Sequence, residues 1–383
     1  MTFTSSDQLI TKGVRQQVSF DEFKTEVLDD YRLACISRET SLTGRKEVLT
    51  GKAKFGVFGD GKEVAQIAMA KFFKPGDFRA GYYRDQTVMF ATGISSVEDY
   101  FSQLYADPEN DPFSGGRQMN AHFATRTVDE NGEWLNIAAT KNSSSDIPPT
   151  ASQMTRALGL AFASKQFREI EAYKELTHLS NNGNEICFAT IGDASTSEGH
   201  FWETLNAAGV LQVPLAVFVW DDGYGISVPR SLQTTKGSIS AAVAGLQKED
   251  GTNGIDIYKL KGWDYAGMCE VLETAIQKIR DTHTPALFHV EELTQPQGHS
   301  TSGSHERYKS PERLKWEKDW DCVKQMRSWI LANELANETE LSNIEVEAKK
   351  FVKESKQRAW EKYIQPLKAQ VSKAAELIRT VAG

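Results

Sequence analysis

The chain is poor in cysteine, in basic charge and in long apolar runs, and each shortage closes off a class of function. Four cysteines, Cys35, Cys187, Cys269 and Cys322, are scattered through 383 residues with no Cys-x-x-Cys spacing. That pattern argues against a structural zinc site and a disulfide framework and leaves buried, reduced thiols as the reading. Lys and Arg number 44 against 52 Asp and Glu, a formal charge of -8. A nucleic-acid partner requires a concentrated basic surface, so none is expected beyond local basic pockets. No stretch approaches the roughly 20 apolar residues of a membrane span. The start, "MTFTSSDQLITKGVRQQVSFDEF", has no apolar signal core and carries acids too early for a transit peptide. A soluble, cytoplasmic protein without a membrane partner is expected. The chain also lacks a G-x-x-x-x-G-K-[ST] loop and a G-x-G-x-x-G fingerprint after a strand, which disfavours a magnesium-dependent nucleotide or phosphotransfer enzyme.

What is present is an ordinary globular composition, 40% hydrophobic and 25% charged, at a length that suits one large α/β domain with extensions. Residues 20–48 are charged and helical in pattern, and "GKEVAQIAMAKFF" (61–73) has apolar residues at helical spacing before a Lys-Pro-Gly stop. An irregular stretch rich in Asn, Gly, Pro and Ser fills 106–150, and long loops of this kind inside a compact domain are usually functional. From Ala151 onward helices and strands alternate, with "ICFATI", "LAVFVW", "IDIYKL" and "ALFHVEEL" as the strands. Alternation of this kind predicts an α/β fold, a parallel sheet with helices on both faces. N-terminal helices precede it, and a helical appendage or linker is expected over 334–383 after a main domain at 1–333.

Two of the strands empty into acidic, glycine-rich turns: "ICFATI" into "GDASTSEG" (192–199), and "LAVFVW" into "DDGYG" (221–225). Ligands of parallel sheets sit beyond the carboxyl ends of the strands, where both turns fall. Two carboxylates on adjacent strand-end loops can converge on one magnesium ion shared with a diphosphate. Asp193 would be the first ligand, Asp222 the second and the backbone carbonyl of Tyr224 the third. The helix that opens in "STSEGHFWETLNAA" favours anions at its amino end. Spacing alone leaves another reading open, since Asp at strand ends is common as a turn former or helix cap.

The stretch "GDASTSEGHFWETLNAAGVLQVPLAVFVWDDGYGIS" resembles the thiamine-diphosphate signature in the alpha subunit of the decarboxylase/dehydrogenase component of 2-oxo acid dehydrogenase complexes. Asp193 and Asp222 stand 29 positions apart, as that pattern has it. "GYYRDQ", "SGGRQMNAHF", "IPPTASQMTRALGLAFASK" and "GHSTSGSHERYKSPERLKWEKDW" follow in the family's order, and branched-chain (2-oxoisovalerate) members look most similar. The resemblance implies a thiamine-diphosphate-binding fold with thiamine diphosphate and Mg2+ as cofactors. It places the metal on Asp193, Asp222 and Tyr224, and the diphosphate on Tyr83 and Arg84 with Gly192, Ala194 and Ser195 beside it. Thr150 would run along the cofactor, and His299 would be the catalytic histidine reaching cofactor and substrate. The implied reaction is oxidative decarboxylation of a 2-oxo acid, branched-chain favoured, with acyl transfer to the lipoyl group of an acyltransferase partner. A beta subunit, separate or fused, would complete the site in an α2β2 assembly. A pyruvate or acetoin substrate and a non-catalytic paralogous subunit stay open as alternatives.

The sequence departs from the family at several places. The usual Asn at the second metal position is Asp222, an added negative charge that magnesium, Arg84, a protonated His299 or Lys141 would have to offset. Trp220 stands where branched-chain members carry an arginine, so the phosphate cradle is either rebuilt or weaker. The run at 147–153 keeps Pro149, Ser152 and Gln153 but changes the rest, which argues against a potassium site. Ser300 reads as a solvated loop serine rather than a phosphosite. His305, Arg307 and Tyr308 are expected to order the His299 loop, and His122 to serve loop structure. His178, His200, His283 and His289 read as packing or solvation.

Overall fold

Short apolar runs at the centre, flanked by shorter or more polar edge strands, assemble into one parallel sheet. The computed structural model describes residues 19–382; the first 18 residues, on which most of the targeting-peptide reading rests, lie outside the described residues. The strands are β1 (Phe78–Ala80), β2 (Asn142–Ser143), β3 (Cys187–Gly192), β4 (Leu215–Trp220), a separate two-strand hairpin of β5 (Tyr224–Gly225) and β6 (Val228–Pro229), β7 (Asp256–Lys261) and β8 (Ala286–Glu291). The main sheet runs β2-β1-β3-β4-β8-β7, every pair parallel. The α/β architecture expected from the alternation is the one observed.

The helices are α1 (Phe20–Leu49), α2 (Glu63–Ala70), α3 (Gln86–Thr92), α4 (Val97–Leu104), α5 (Gln153–Glu169), α6 (Gly199–Leu211), α7 (Ile239–Ala242), α8 (Tyr265–Thr282), α9 (Pro311–Asp319), α10 (Cys322–Ala332) and α11 (Glu338–Ala382). Ser19 and Glu22 form a capping box that starts α1, satisfying amides that would otherwise be orphaned. β3 and β4 are buried on both faces, as continuous apolar runs of parallel sheets are. One face meets α5 and α6 through Ala189, Ile191, Val217 and Val219. The other carries an aromatic ladder across the sheet, with Phe188 stacked on Phe218 at 6.3 Å, Phe218 on Phe288 at 4.6 Å and Phe288 on Tyr258 at 5.2 Å, and packs against α1, α2, α8 and α10.

β2 arises from the stretch expected to be irregular. Two residues are too few to show alternation, and they become a strand by pairing with β1, Phe78 opposite Asn142 and Arg79 opposite Ser143. A fully buried guanidinium secures this edge. Arg79 donates to Asp85 Oδ2 at 2.8 Å, Ser143 Oγ at 2.9 Å, Asp146 Oδ1 at 3.1 Å and Oδ2 at 3.0 Å, and the Tyr82 carbonyl at 3.1 Å. The first half of α11 buries Leu341, Ile344, Ala348, Val352 and Ala359, whereas Leu367, Val371, Ile378 and Val381 near its end are exposed. All four cysteines are free; Cys35, Cys187 and Cys322 are buried and Cys269 is half-buried. Among the described residues no helix is long and apolar enough to cross a membrane.

Candidate diphosphate and metal site

Parallel pairing of β3 and β4 places Gly192 opposite Trp220, so the loops that follow leave the sheet side by side. The Asp193 amide donates to the Trp220 carbonyl at 3.3 Å. Between these loops, the segment after β1 and the loop after β8 lies a cavity of about 340 Å³. Tyr83, Arg84, Thr150, Gly192, Asp193, Ala194, Ser195, Asp222, Tyr224 and His299 all line it. The structure thus brings every site residue taken from the sequence to one place.

The two consecutive acids after β4 separate in role. Asp221 is fully buried and faces away, accepting from His289 Nε2 at 2.8 Å and from Arg230, and receiving the Gly223 amide at 2.9 Å. His289, read from sequence as mere packing, also lies 3.0 Å from Ser240 Oγ and so fixes Asp221. Asp222 turns toward the cavity, its Oδ1 accepting the Tyr224 amide at 3.2 Å. The hairpin that follows can approach the first loop because residue 225 is glycine; a Cβ there would lie 2.6 Å from that of Ala194. The Tyr224 ring is flanked by Lys309 at 5.3 Å and Arg313 at 5.4 Å. Asp193 opens a 3₁₀ turn (Ala194–Ser197) without capping it through its side chain, so the helix-cap reading does not describe it, whereas Asp222 does act as a turn former.

Burial, then Asp222 and Asp221, drives the Asp193 carboxyl well above the ordinary carboxylate range. For Asp222 burial pushes the same way, but Lys62 and then Arg84 outweigh it and hold the group ionised below its usual value. Lys62 is the residue that sequence reasoning missed. Its ammonium, 1% exposed, donates to Asp222 Oδ2 at 2.9 Å. The expected counter-charges are corrected accordingly. Lys141 does not line the cavity, and His299 is neutral near pH 7, its pKa pushed down to about 4 by burial first and by Arg84 next. The one sequence signal was indirect: Asp222 demanded a cation somewhere.

Arg84 is buried and donates to the Phe58 carbonyl at 2.7 Å and the His299 carbonyl at 2.9 Å. Its remaining N–H groups are free of those bonds, and a guanidinium carries five. Tyr83 Oη sits 3.3 Å from His299 Nε2. Trp220 lines the cavity and donates Nε1–H to Asp85 Oδ1 at 3.1 Å, which ties the wall to the Arg79 network. Thr150 is exposed at the rim. The His299 loop is clamped by Arg45, which donates to the Gln297 and Ser300 carbonyls at 2.9 and 3.2 Å. Ser300 is a correction: it is 6% exposed, its Oγ 2.7 Å from that of Ser302, because the clamp folds the loop inward. Tyr308 lies against Tyr224, ring centroids 5.9 Å apart, and also lines the cavity. The buried His122 exchanges backbone hydrogen bonds with the Gln103 side chain.

His283 is likewise pushed down to about 4, burial being the foremost cause. Both imidazoles have folded values below the ordinary 6.5, so the folded chain holds fewer protons than the unfolded one in that range. Their share of stability is complete above pH 6.5 and is lost as pH falls toward 4. Melting temperature measured against pH should fall across that window, and less steeply in His283→Gln. An unchanged slope in the variant would remove His283 from the account.

The family model of the dehydrogenase E1 component matches residues 31–368. The chain belongs to that family. Among its relatives, 2-oxoisovalerate dehydrogenase subunit alpha 2, mitochondrial, of Arabidopsis thaliana is 26% identical over 329 residues, 85% of this chain and 60% of the relative. The 2-oxoisovalerate dehydrogenase subunit alpha of Bacillus subtilis is 28% identical over 265 residues, 68% of this chain and 69% of the relative. The pyruvate dehydrogenase E1 component subunit alpha of Rickettsia bellii is 29% identical over 199 residues, 51% of this chain and 53% of the relative. The chain therefore spans less than two thirds of the Arabidopsis and Rickettsia relatives. For an E1 component, a cavity at the carboxyl edge of the sheet with two inward carboxyls and a buried guanidinium is chemically suited to a metal and an anionic cofactor.

Proposed function

We propose that the chain is the alpha, diphosphate-binding half of a thiamine-diphosphate-dependent 2-oxo acid dehydrogenase, completed by a beta subunit in an α2β2 assembly. The observation that carries this reading is the convergence of Asp193, Asp222, Arg84 and His299 on one cavity. The donor set fits a magnesium diphosphate. Asp193 is buried beside a second carboxylate and held toward its neutral form, a strain that a divalent cation relieves, and oxygen ligands are what magnesium takes. Asp193, Asp222 and the Tyr224 carbonyl would hold the metal. Arg84 and Tyr83 would hold the diphosphate, beside Gly192, Ala194 and Ser195, and Thr150 would meet the cofactor at the rim.

When bound, thiamine diphosphate supplies the carbanion chemistry by which a 2-oxo acid loses carbon dioxide. The chain's own residues bind and orient. His299, neutral and 3.3 Å from the Tyr83 hydroxyl, is placed to accept or give a proton at Nε2 beside the reacting groups. Branched-chain 2-oxo acids are the favoured substrates, the acyl group passing to the lipoyl group of an acyltransferase partner, and the 2-oxoisovalerate names of several relatives support that choice. Pyruvate is the second reading, favoured by the Rickettsia relative.

Calorimetric titration of thiamine diphosphate with magnesium, into the chain alone and with its beta subunit, tests the proposal. Saturable binding that tightens with the partner is expected. No heat even with the partner present would replace it with a non-catalytic subunit that keeps only the fold.

A further inference from the structure

Behind the cavity wall, against the lining residues Asp222 and Gln295, sits a charge that the metal-ligand reading does not use. Lys62 is 1% exposed, and its ammonium donates to Asp222 Oδ2 at 2.9 Å, the Thr294 carbonyl at 2.9 Å and Gln295 Oε1 at 2.7 Å. Three acceptors match the three donors of an ammonium. Among the described residues Asp222 is its one ion-pair partner. The side chain is aimed there by the backbone: Gly61 adopts φ +87°, and a Cβ on it would collide with the Thr294 carbonyl. A lysine this deeply buried is costly unless paired and fully hydrogen-bonded, and here both conditions are met.

We propose that Lys62 is a resident cation at the metal corner, a positioning residue that neutralises Asp222, occupies one face of its carboxylate, and makes capture of a divalent ion depend on the diphosphate that arrives with it. The proposal rests on Asp193 and Asp222 being the metal ligands. With Lys62 absent, two inward carboxylates would form a corner that attracts bare divalent ions and repels an anionic diphosphate. With Lys62 present, the corner carries one negative charge fewer, so the ion gains less from entering alone and the diphosphate loses less. Asp222 Oδ2 is turned to the ammonium while Oδ1 holds the Tyr224 amide at 3.2 Å, so each oxygen is already engaged once and an ion must share it with a donor. A unit charge a few ångströms from a divalent ion changes its affinity by about tenfold or more even when generously screened.

Mn2+ is the probe, its binding to the full chain followed by electron paramagnetic resonance, without and with thiamine diphosphate and the beta subunit. Lys62→Met should bind Mn2+ alone about tenfold or more tightly than wild type, and should lose that advantage when thiamine diphosphate is added. Lys62→Gln, which keeps a donor for the Thr294 carbonyl, repeats the measurement should the methionine variant fold poorly. In an Asp222→Asn background, where the buried ammonium has lost its ion-pair partner, the change at Lys62 should tighten Mn2+ binding less than it does with Asp222 present. Equal or weaker Mn2+ binding by both folded Lys62 variants, with wild type still taking Mn2+ alongside thiamine diphosphate, overturns the role of Lys62 and leaves the metal site intact. Failure of wild type to take Mn2+ even with thiamine diphosphate and partner overturns the metal site itself, and the proposal with it.

Discussion

Asp193→Ala should lower the affinity for thiamine diphosphate with magnesium by at least about a hundredfold, while the cofactor-free chain melts no lower than wild type. The first half follows from ligand chemistry: outer-shell groups around a metal already contribute about 10–100-fold, and Asp193 would touch the ion directly. The second half follows from electrostatics. Burial, then Asp222 and Asp221, raises the Asp193 pKa above the 3.8 of an ordinary Asp, so the folded chain holds this proton longer than the unfolded one. The corresponding stabilisation is complete below the unfolded value and is lost as pH rises through the folded one. At neutral pH the carboxyl is therefore a burden to the apo fold, and its removal relieves that burden. Calorimetry for binding and a thermal melt for stability check both halves. Lost binding together with a lower melting temperature would instead make Asp193 a structural turn residue.

Arg79→Met should destabilise the fold by about 3–5 kcal/mol, the usual cost of orphaning buried charged partners. Arg79 is the hub between β1, β2 and the cavity wall, and its loss leaves both Asp85 and Asp146 without their guanidinium. Asp146 shows the balance: burial raises its pKa and Arg79 opposes that rise. Asp85 also accepts the Trp220 indole N–H and the Thr190 hydroxyl, so the damage should reach the wall at Trp220. Arg79→Lys should recover only part of the loss, because one ammonium cannot span two carboxylates, a serine hydroxyl and the Tyr82 carbonyl in the arrangement the planar fork does. Urea unfolding measures the effect; a variant within about 1 kcal/mol of wild type would mean that water or rearrangement replaces the network.

Much of the sheet was legible because β3, β4 and β8 are largely apolar six-residue runs bounded by polar turns, while β7 (DIYKLK) mixes apolar with charged residues, and the ends of β3 and β4 announced the loops that carry Asp193 and Asp222. β2 was not legible, since two residues have no periodicity and its existence depends on β1 lying beside it. The family resemblance carried Tyr83, Arg84, Thr150 and His299 to the cavity, which local pattern alone would have left as surface packing and loop. The resemblance supported Asp222 over Asp221 as the inward acid, since adjacent residues point to opposite sides and nothing in "DDGYG" alone says which side is which. Lys62 was hidden for a different reason. It precedes a helix in a run that reads as an ordinary amphipathic segment, and the loop it reaches is far away in sequence. Ser300 failed through the same cause, a tertiary clamp from Arg45 that no local pattern records.

The Lys62–Asp222 bond joins positions 160 residues apart and has a consequence for how this sequence can drift. A substitution at either end alone strands a buried charge, so neither position is free to vary by single steps. Natural variants should therefore carry both charges or neither, and a lineage moving between the two states must cross a poorly stable intermediate or change the two codons almost together. The pair makes the two positions, in effect, one inherited character.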